Sequence, residues 1–232
     1  MDKNLKTFLE TRDLDNLREA KSHVLEINQD HQAEITGVLR EWEDIQAIAN
    51  LLMYPDLIPE TERIDYVLAG LRETNFTYLA LASVVGLGQL NIEEIPAQLI
   101  TELIEQLIKL TKSDAGVIAE RSSVFLAERL WHFGDTYTSQ IIELLDHPSK
   151  VVQHNTLVAL IPLVGLENIR RIIENAVQQG QLSVNGQLAA EQKLSEIAGF
   201  SKDSTIDDSQ FDVDLLSAPL LAYIPNLDEM SP

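Results

Sequence analysis

Cysteine is absent from this chain of 232 residues, aromatic residues make up only 6% of it, and 17 Lys and Arg stand against 37 Asp and Glu. The first absence excludes disulfides, thiolate nucleophiles, zinc-thiolate sites and iron-sulfur ligation, and fits a reducing compartment. A small secreted scaffold stapled by disulfides goes with them. The shortage of bases leaves a net charge of 17 − 37 = −20, and the bases do not cluster. Phosphate backbones are repelled by such a chain, so no nucleic-acid ligand is expected. Long apolar runs are missing too: YLALASVVGL, Tyr78 to Leu87, is half of the roughly 20 residues a membrane span needs and reads as a buried core helix. MDKNLKTFLETRDLDNLREA, at the N-terminus, lacks the apolar stretch of a signal peptide. A cytoplasmic protein without a membrane span is expected.

What is present is helical periodicity. Apolar residues make up 45% of the chain, ample for a core. Leu99, Ile100, Leu103, Ile104, Leu107 and Ile108 form one wide stripe and leave Glu102, Glu105, Gln106 and Lys109 on the other face. Pro55, Pro59, Gly88, Pro96, Gly134, Pro148, Gly165 and Gly180 fall between periodic runs, while Pro162 lies inside one and predicts a kink near a helix end. Trp42 is placed three residues before Ile45 on a stripe continued by Ile48 and Ala49. Sustained period-2 alternation occurs nowhere, so the fold class is all-α. Residues 201–232, with one base and seven acids, bring two apolar clusters, Leu215-Leu216 and Leu220 to Ile224, among Pro219, Pro225 and Pro232. They are expected to form an irregular acidic tail, either disordered or docked as a strap.

Three segments share one layout: YVLAGLRETNFTYLALASVVGLG (66–88), IKLTKSDAGVIAERSSVFLAERLWHFG (108–134) and IIELLDHPSKVVQHNTLVALIPLVG (141–165). Each runs from the end of an apolar helix through a polar turn into a second apolar helix and closes on glycine. The closing glycines are 134 − 88 = 46 and 165 − 134 = 31 residues apart, which brackets the period of two-helix units. One such pair cannot bury both stripes alone and must stack on the next. The layout resembles the HEAT and armadillo-type helical repeats, best in LLDHPSKVVQHNTLVALIPLVG, with its Asp146 and Pro148 turn, Val151-Val152, and closing Leu-Val-Gly. Gln153-His154-Asn155 stands where that family often carries an arginine. The resemblance implies a short right-handed α-solenoid of stacked antiparallel helix pairs over residues 1–200. The repeats are clearest over 60–180, and helices within 12–54 serve as a cap.

Motifs that carry chemistry are scarce. No G-x-S-x-G elbow, P-loop, H-E-x-x-H or di-iron Glu-x-x-His pair occurs. Gly86-Leu87-Gly88 lacks the third glycine of a dinucleotide loop and reads as a helix end. His147 and His154 are separated by Pro148, which places His147 in a turn and makes a poor metal pair. Glu102 with Glu105, and Glu93 with Glu94, read as solvated helix faces, because acid-base work needs carboxyl pKa values pushed apart in a pocket. No cofactor is expected. Trp131, His132, Phe133 and Tyr137 form the densest aromatic spot, suited either to capping the core between repeats or to anchoring a partner.

In HEAT-like proteins the second helix of each pair tends to line the concave face. The resemblance places these helices near 96–110, 136–146 and 167–178. Their outward row would be Glu102, Glu105, Gln106 and Lys109, then Gln140 and Glu143, then Arg170, Arg171, Glu174 and Gln178. That row is mixed in sign and suits a protein surface, with Arg170 and Arg171 placed to take an acidic segment. The leading expectation is a non-catalytic adaptor that binds a protein partner through this face, through Trp131 and Tyr137, or through the tail. Two alternatives stay open. One is an acidic inhibitor or immunity-type protein that blocks a basic partner. The other rests on a likeness to HEAT-like phycobilin lyases and phycobilisome-associated factors, which implies Arg170 or Arg171 on a propionate and Trp131 or Tyr137 against a tetrapyrrole.

Overall fold

The computed structural model describes residues 2–24, 29–73, 75–91, 95–114 and 116–203. Among them every regular element is helical, as the absence of period-2 alternation predicts. Residues 204–232, with the apolar clusters and prolines of the expected tail, lie outside the described residues, as do Glu93 and Glu94. The described chain divides into two compact units whose boundary in sequence falls between Gln106 and Leu107.

The first unit opens with α1 (Lys3–Glu10) and α2 (Leu14–Ser22). Some of the many acids earn their place here as caps. The Asp2 carboxylate accepts from the Asn4 and Leu5 amides at 2.8 and 3.1 Å, and Asp13 accepts from the Asn16 amide at 2.9 Å. Each satisfies amide donors that a helix start leaves without a partner. The α1 helix lies ahead of the 12–54 stretch expected to supply the cap.

Helix α3 (Gln29–Glu41) and helix α4 (Ile45–Met53) are separate, and Trp42 stands between them with φ +51°. This corrects the placing of Trp42 on the α4 stripe. Its amide still bonds to the Val38 carbonyl at 3.2 Å, so the left-handed residue terminates α3. Two residues on, Asp44 accepts from the Ala47 amide at 3.1 Å and starts α4 afresh. Local capping chemistry outweighs a hydrophobic spacing that would run on unbroken. The Trp42 ring stacks on Tyr66 with centroids 6.3 Å apart.

A 3₁₀ turn (Pro55–Leu57) leads to α5 (Arg63–Arg72) and α6 (Thr77–Leu87). Leu79 to Val84 and Leu87 are buried, as expected of the core helix read from YLALASVVGL. Helix α6 packs most extensively against α4 and α5. Glycine permits this: a Cβ on Gly86 would fall on the Leu52 carbonyl oxygen, and one on Gly70 would meet Ser83 Oγ and Leu52 Cδ1. The core gathers Leu5, Phe8, Ile48, Leu51, Leu52, Leu68, Leu71 and Leu79.

Helix α7 (Ala97–Thr111) carries the unit boundary, and its apolar stripe is buried as the spacing predicts at Leu103, Ile104, Leu107 and Ile108. In the second unit, α8 (Gly116–Arg129) packs on α10 (Lys150–Val164). Both helices of that contact bury small residues, Ala119, Ser122 and Ser123 on one and Thr156 and Ala159 on the other. Asn155 Nδ2 donates to Ser123 Oγ at 2.9 Å across it. Pro162 lies in the last turn of α10, near a helix end as expected.

The stretch 136–146 is not one helix. It runs as a 3₁₀ turn (Asp135–Tyr137), a five-residue α9 (Thr138–Ile142) and a second 3₁₀ turn (Glu143–Asp146). Ile141, Ile142, Leu144 and Leu145 are all buried, and the winding changes between the two pairs. Beyond α10, Gly165 at φ +81° turns the chain into α11 (Leu166–Gln178), and Gly180 at φ +72° ends the segment before α12 (Val184–Asp203). Asp146 ties the start of α12: its carboxylate accepts from the Ser183 amide at 2.8 Å and from the Ser183 hydroxyl.

Candidate functional site

The surface positions singled out in the sequence distribute over both units. In the first, Glu102 is half-buried and engaged, its Oε1 accepting from Arg72 Nε at 2.6 Å. Glu105 is exposed, and Gln106 is half-buried with its Oε1 enclosed and without a hydrogen-bond partner among the described residues.

In the second unit Lys109 is exposed, and Glu143 is paired with Lys112 at 2.7 Å. Arg170, Arg171 and Glu174 are exposed on α11, whose opposite face buries Ile169, Ile173 and Ala176. Arg171 Nη2 donates to Asn168 Oδ1 at 3.2 Å.

The two aromatics have different settings. Tyr137 is core, 7% exposed. Trp131 is 50% exposed, lies in a 3₁₀ turn (Leu130–Phe133), stacks on His132 with centroids 3.7 Å apart, and donates from Nε1 to the Glu128 carbonyl at 3.0 Å. They therefore do not form one aromatic surface. His147 occupies the turn expected of it, its Nδ1 accepting from the Ser149 amide at 3.1 Å.

Around α8, burial alters the ionisable groups. Burial raises the Glu128 carboxyl pKa, with the Arg129 charge opposing, and burial lowers the Arg121 pKa, with Glu120 opposing. Glu120 also accepts from Ser149 Oγ at 2.7 Å. This is packing chemistry: the polar groups bind α8 to the turn before α10. Among the described residues no group of three or more His, Cys, Asp or Glu side chains is placed to hold a metal ion, and no helix is long and apolar enough to cross a membrane.

One concavity in the second unit was not legible in the sequence. It is an open groove of about 330 Å³ between α9 with its leading turn and the C-terminal half of α11. Its apolar lining is Ile142, Ile172 and Ala176; its polar lining is Thr136, Thr138 and Ser139 on one side and Asn175, Gln179 and Gln181 on the other. Among the described residues, Asp135 is the sole charged one lining it. Hydroxyls and carboxamides both give and accept hydrogen bonds but do not attract charge, so the groove suits a neutral, partly apolar chain. None of the surface residues expected from the sequence lines it.

Compared with protein-family models, with curated proteins and with solved structures, the chain matches none.

Proposed function

We propose that this protein is a non-catalytic interaction module, a cytoplasmic adaptor built as a short right-handed α-solenoid of HEAT-like helix pairs, which takes a protein partner on the exposed faces of its helices. The observation that carries the reading is α11. Ile169, Ile173 and Ala176 anchor one face in the core, and Arg170, Arg171 and Glu174 stand exposed on the rest. A helix so anchored presents a rigid row of mixed charge, which fits a protein surface better than a polyphosphate. Packing of alternate helices, α4 on α6 in one unit and α8 on α10 in the other, agrees with a two-helix repeat. Half-exposed Trp131 supplies the kind of aromatic anchor that interfaces concentrate.

The test is recovery of the tagged full chain at native expression, with mass spectrometry of what accompanies it. A stoichiometric partner that is lost when Arg170 and Arg171 are both changed to Glu, with far-ultraviolet circular dichroism unchanged, supports the reading. A partner that survives the double reversal, or turnover of a substrate by the purified chain, contradicts it.

A further inference from the structure

Among the described residues, the groove between α9 and α11 has an apolar lining, two rows of neutral hydrogen-bonding side chains, one acid and no base. Such a lining disfavours phosphate, nucleotide and carboxylate ligands, which draw their affinity from cations. It suits an extended peptide with apolar side chains and no charge, whose backbone carbonyls can take the carboxamide donors of Asn175, Gln179 and Gln181.

The chain itself contains such a segment. Between Asp214 and Asp228 lie 228 − 214 − 1 = 13 residues, LLSAPLLAYIPNL, without a single charge. Pro219 fixes its own φ, disfavours helix for Ala218, and lowers the entropy lost when an extended segment docks. Leu215, Leu216, Leu220, Leu221 and Ile224 offer side chains for half-buried Ile172, beneath which Ile142 and Ala176 are almost fully buried.

Reach also fits. Helix α12 starts three residues after Gln181, which lines the groove, and runs 20 residues to Asp203, about 30 Å at 1.5 Å per residue. The return path to the groove is therefore about that long. From Asp203 to Asp214 there are 214 − 203 = 11 residues, which extend to about 36–40 Å. The linker is long enough to bring Leu215 back to the groove with little slack. The acids Asp212 and Asp214, which precede the segment in sequence, are opposite in sign to Arg170 and Arg171, exposed on the same α11 that lines the groove.

We infer that residues 215–224 of this chain dock in cis into the groove between α9 and α11. The inference does not rest on the adaptor reading, since it concerns a contact within one chain. Should a partner use the same groove, the segment would compete with it.

The absence of cysteine gives a clean test on the full chain. A single Asn226→Cys carries one nitroxide label just past the segment, and methyl signals report distance from it. Loss of the Ile142, Ile172 and Ala176 signals selectively over the other methyl signals is expected, and recovery when Leu216 and Leu220 are both changed to Asp. Uniform or absent signal loss overturns the inference. So does loss that persists in the double-Asp variant, or loss passed between separately labelled and isotope-enriched copies, which would place a second chain in the groove.

Discussion

Asn50 holds Thr11: from a fully buried position on α4, its Nδ2 donates to the Thr11 carbonyl at 2.8 Å. The same nitrogen lies 2.9 and 3.3 Å from the Phe8 and Leu9 carbonyls, and Oδ1 accepts from Gln46 Nε2 at 2.9 Å and from Tyr78 OH at 3.3 Å. One carboxamide thus closes the C-terminal end of α1, where carbonyls lack helical partners, against α4 and α6. Burial raises the Tyr78 pKa, which keeps its hydroxyl a donor through neutral pH.

Asn50→Ala takes the side-chain donor from the Leu9 carbonyl and leaves the Phe8 and Thr11 carbonyls only the 3.4 Å bonds from the Thr11 amide and from Gln46 Nε2. The expected cost is about 2–4 kcal/mol, beyond a single net hydrogen bond because several groups lose their partner together. Urea denaturation measures it; a midpoint equal to that of the parent protein would show that water replaces the amide without loss.

Glycines separate into two kinds. At Gly86, where a Cβ would meet the Leu52 carbonyl oxygen, alanine must push α4 from α6, at a cost of about 1–3 kcal/mol or more. Gly37, inside α3, has nothing within 4 Å of its notional Cβ. Gly37→Ala should stabilise by about 0.5–1 kcal/mol through helix propensity and chain entropy. Thermal unfolding of the two variants should move in opposite directions, and a shared direction would count against the α4–α6 contact.

Two adjacent serines in α8 differ in the same way. Ser122 is fully buried and its Oγ has no hydrogen-bond partner among the described residues. Ser123 Oγ donates to the Glu120 carbonyl at 2.6 Å and accepts from Asn155. Ser122→Ala should gain about 1 kcal/mol, and Ser123→Ala should lose a similar amount. Calorimetric melting temperatures decide between this and equal effects at both positions.

The Glu128 carboxyl, raised by burial, sets a pH signature. A folded state that holds its proton more tightly than the unfolded state loses stability as pH rises from the unfolded pKa through the folded one. Glu128→Gln removes that loss. Its melting temperature should exceed the parent's at pH 7 by about 1–2 °C, the scale expected for a half-buried single site in a domain of this size, and the difference should vanish in acid, where the parent carboxyl is protonated. A gain that is the same at both pH values would mean that the charge is not its source.

The sequence was most legible where periodicity and punctuation act together. The α7 stripe, the buried α6, the α10 proline and the breaks at Gly134, Gly165 and Gly180 all follow from spacing and from residues that stop helices. It was least legible where a local hydrogen bond overrules spacing. Trp42 adopts φ +51° because α3 ends there and Asp44 restarts the chain, and the segment 135–146 changes winding around its buried Ile and Leu pairs. The groove escaped for another reason. Thr136, Thr138, Ser139, Asn175 and Gln179 are small, neutral and about forty positions apart, so no motif marks them until the fold brings them together.

The central claim is that the charged face of α11 binds a protein. Its most direct measurement is calorimetric titration of the recovered partner into the full chain and into the Arg170→Glu, Arg171→Glu variant. Affinity for the double variant should fall by at least about tenfold, or about 1.4 kcal/mol, with helicity and melting temperature retained. Equal affinity for the two proteins would contradict it.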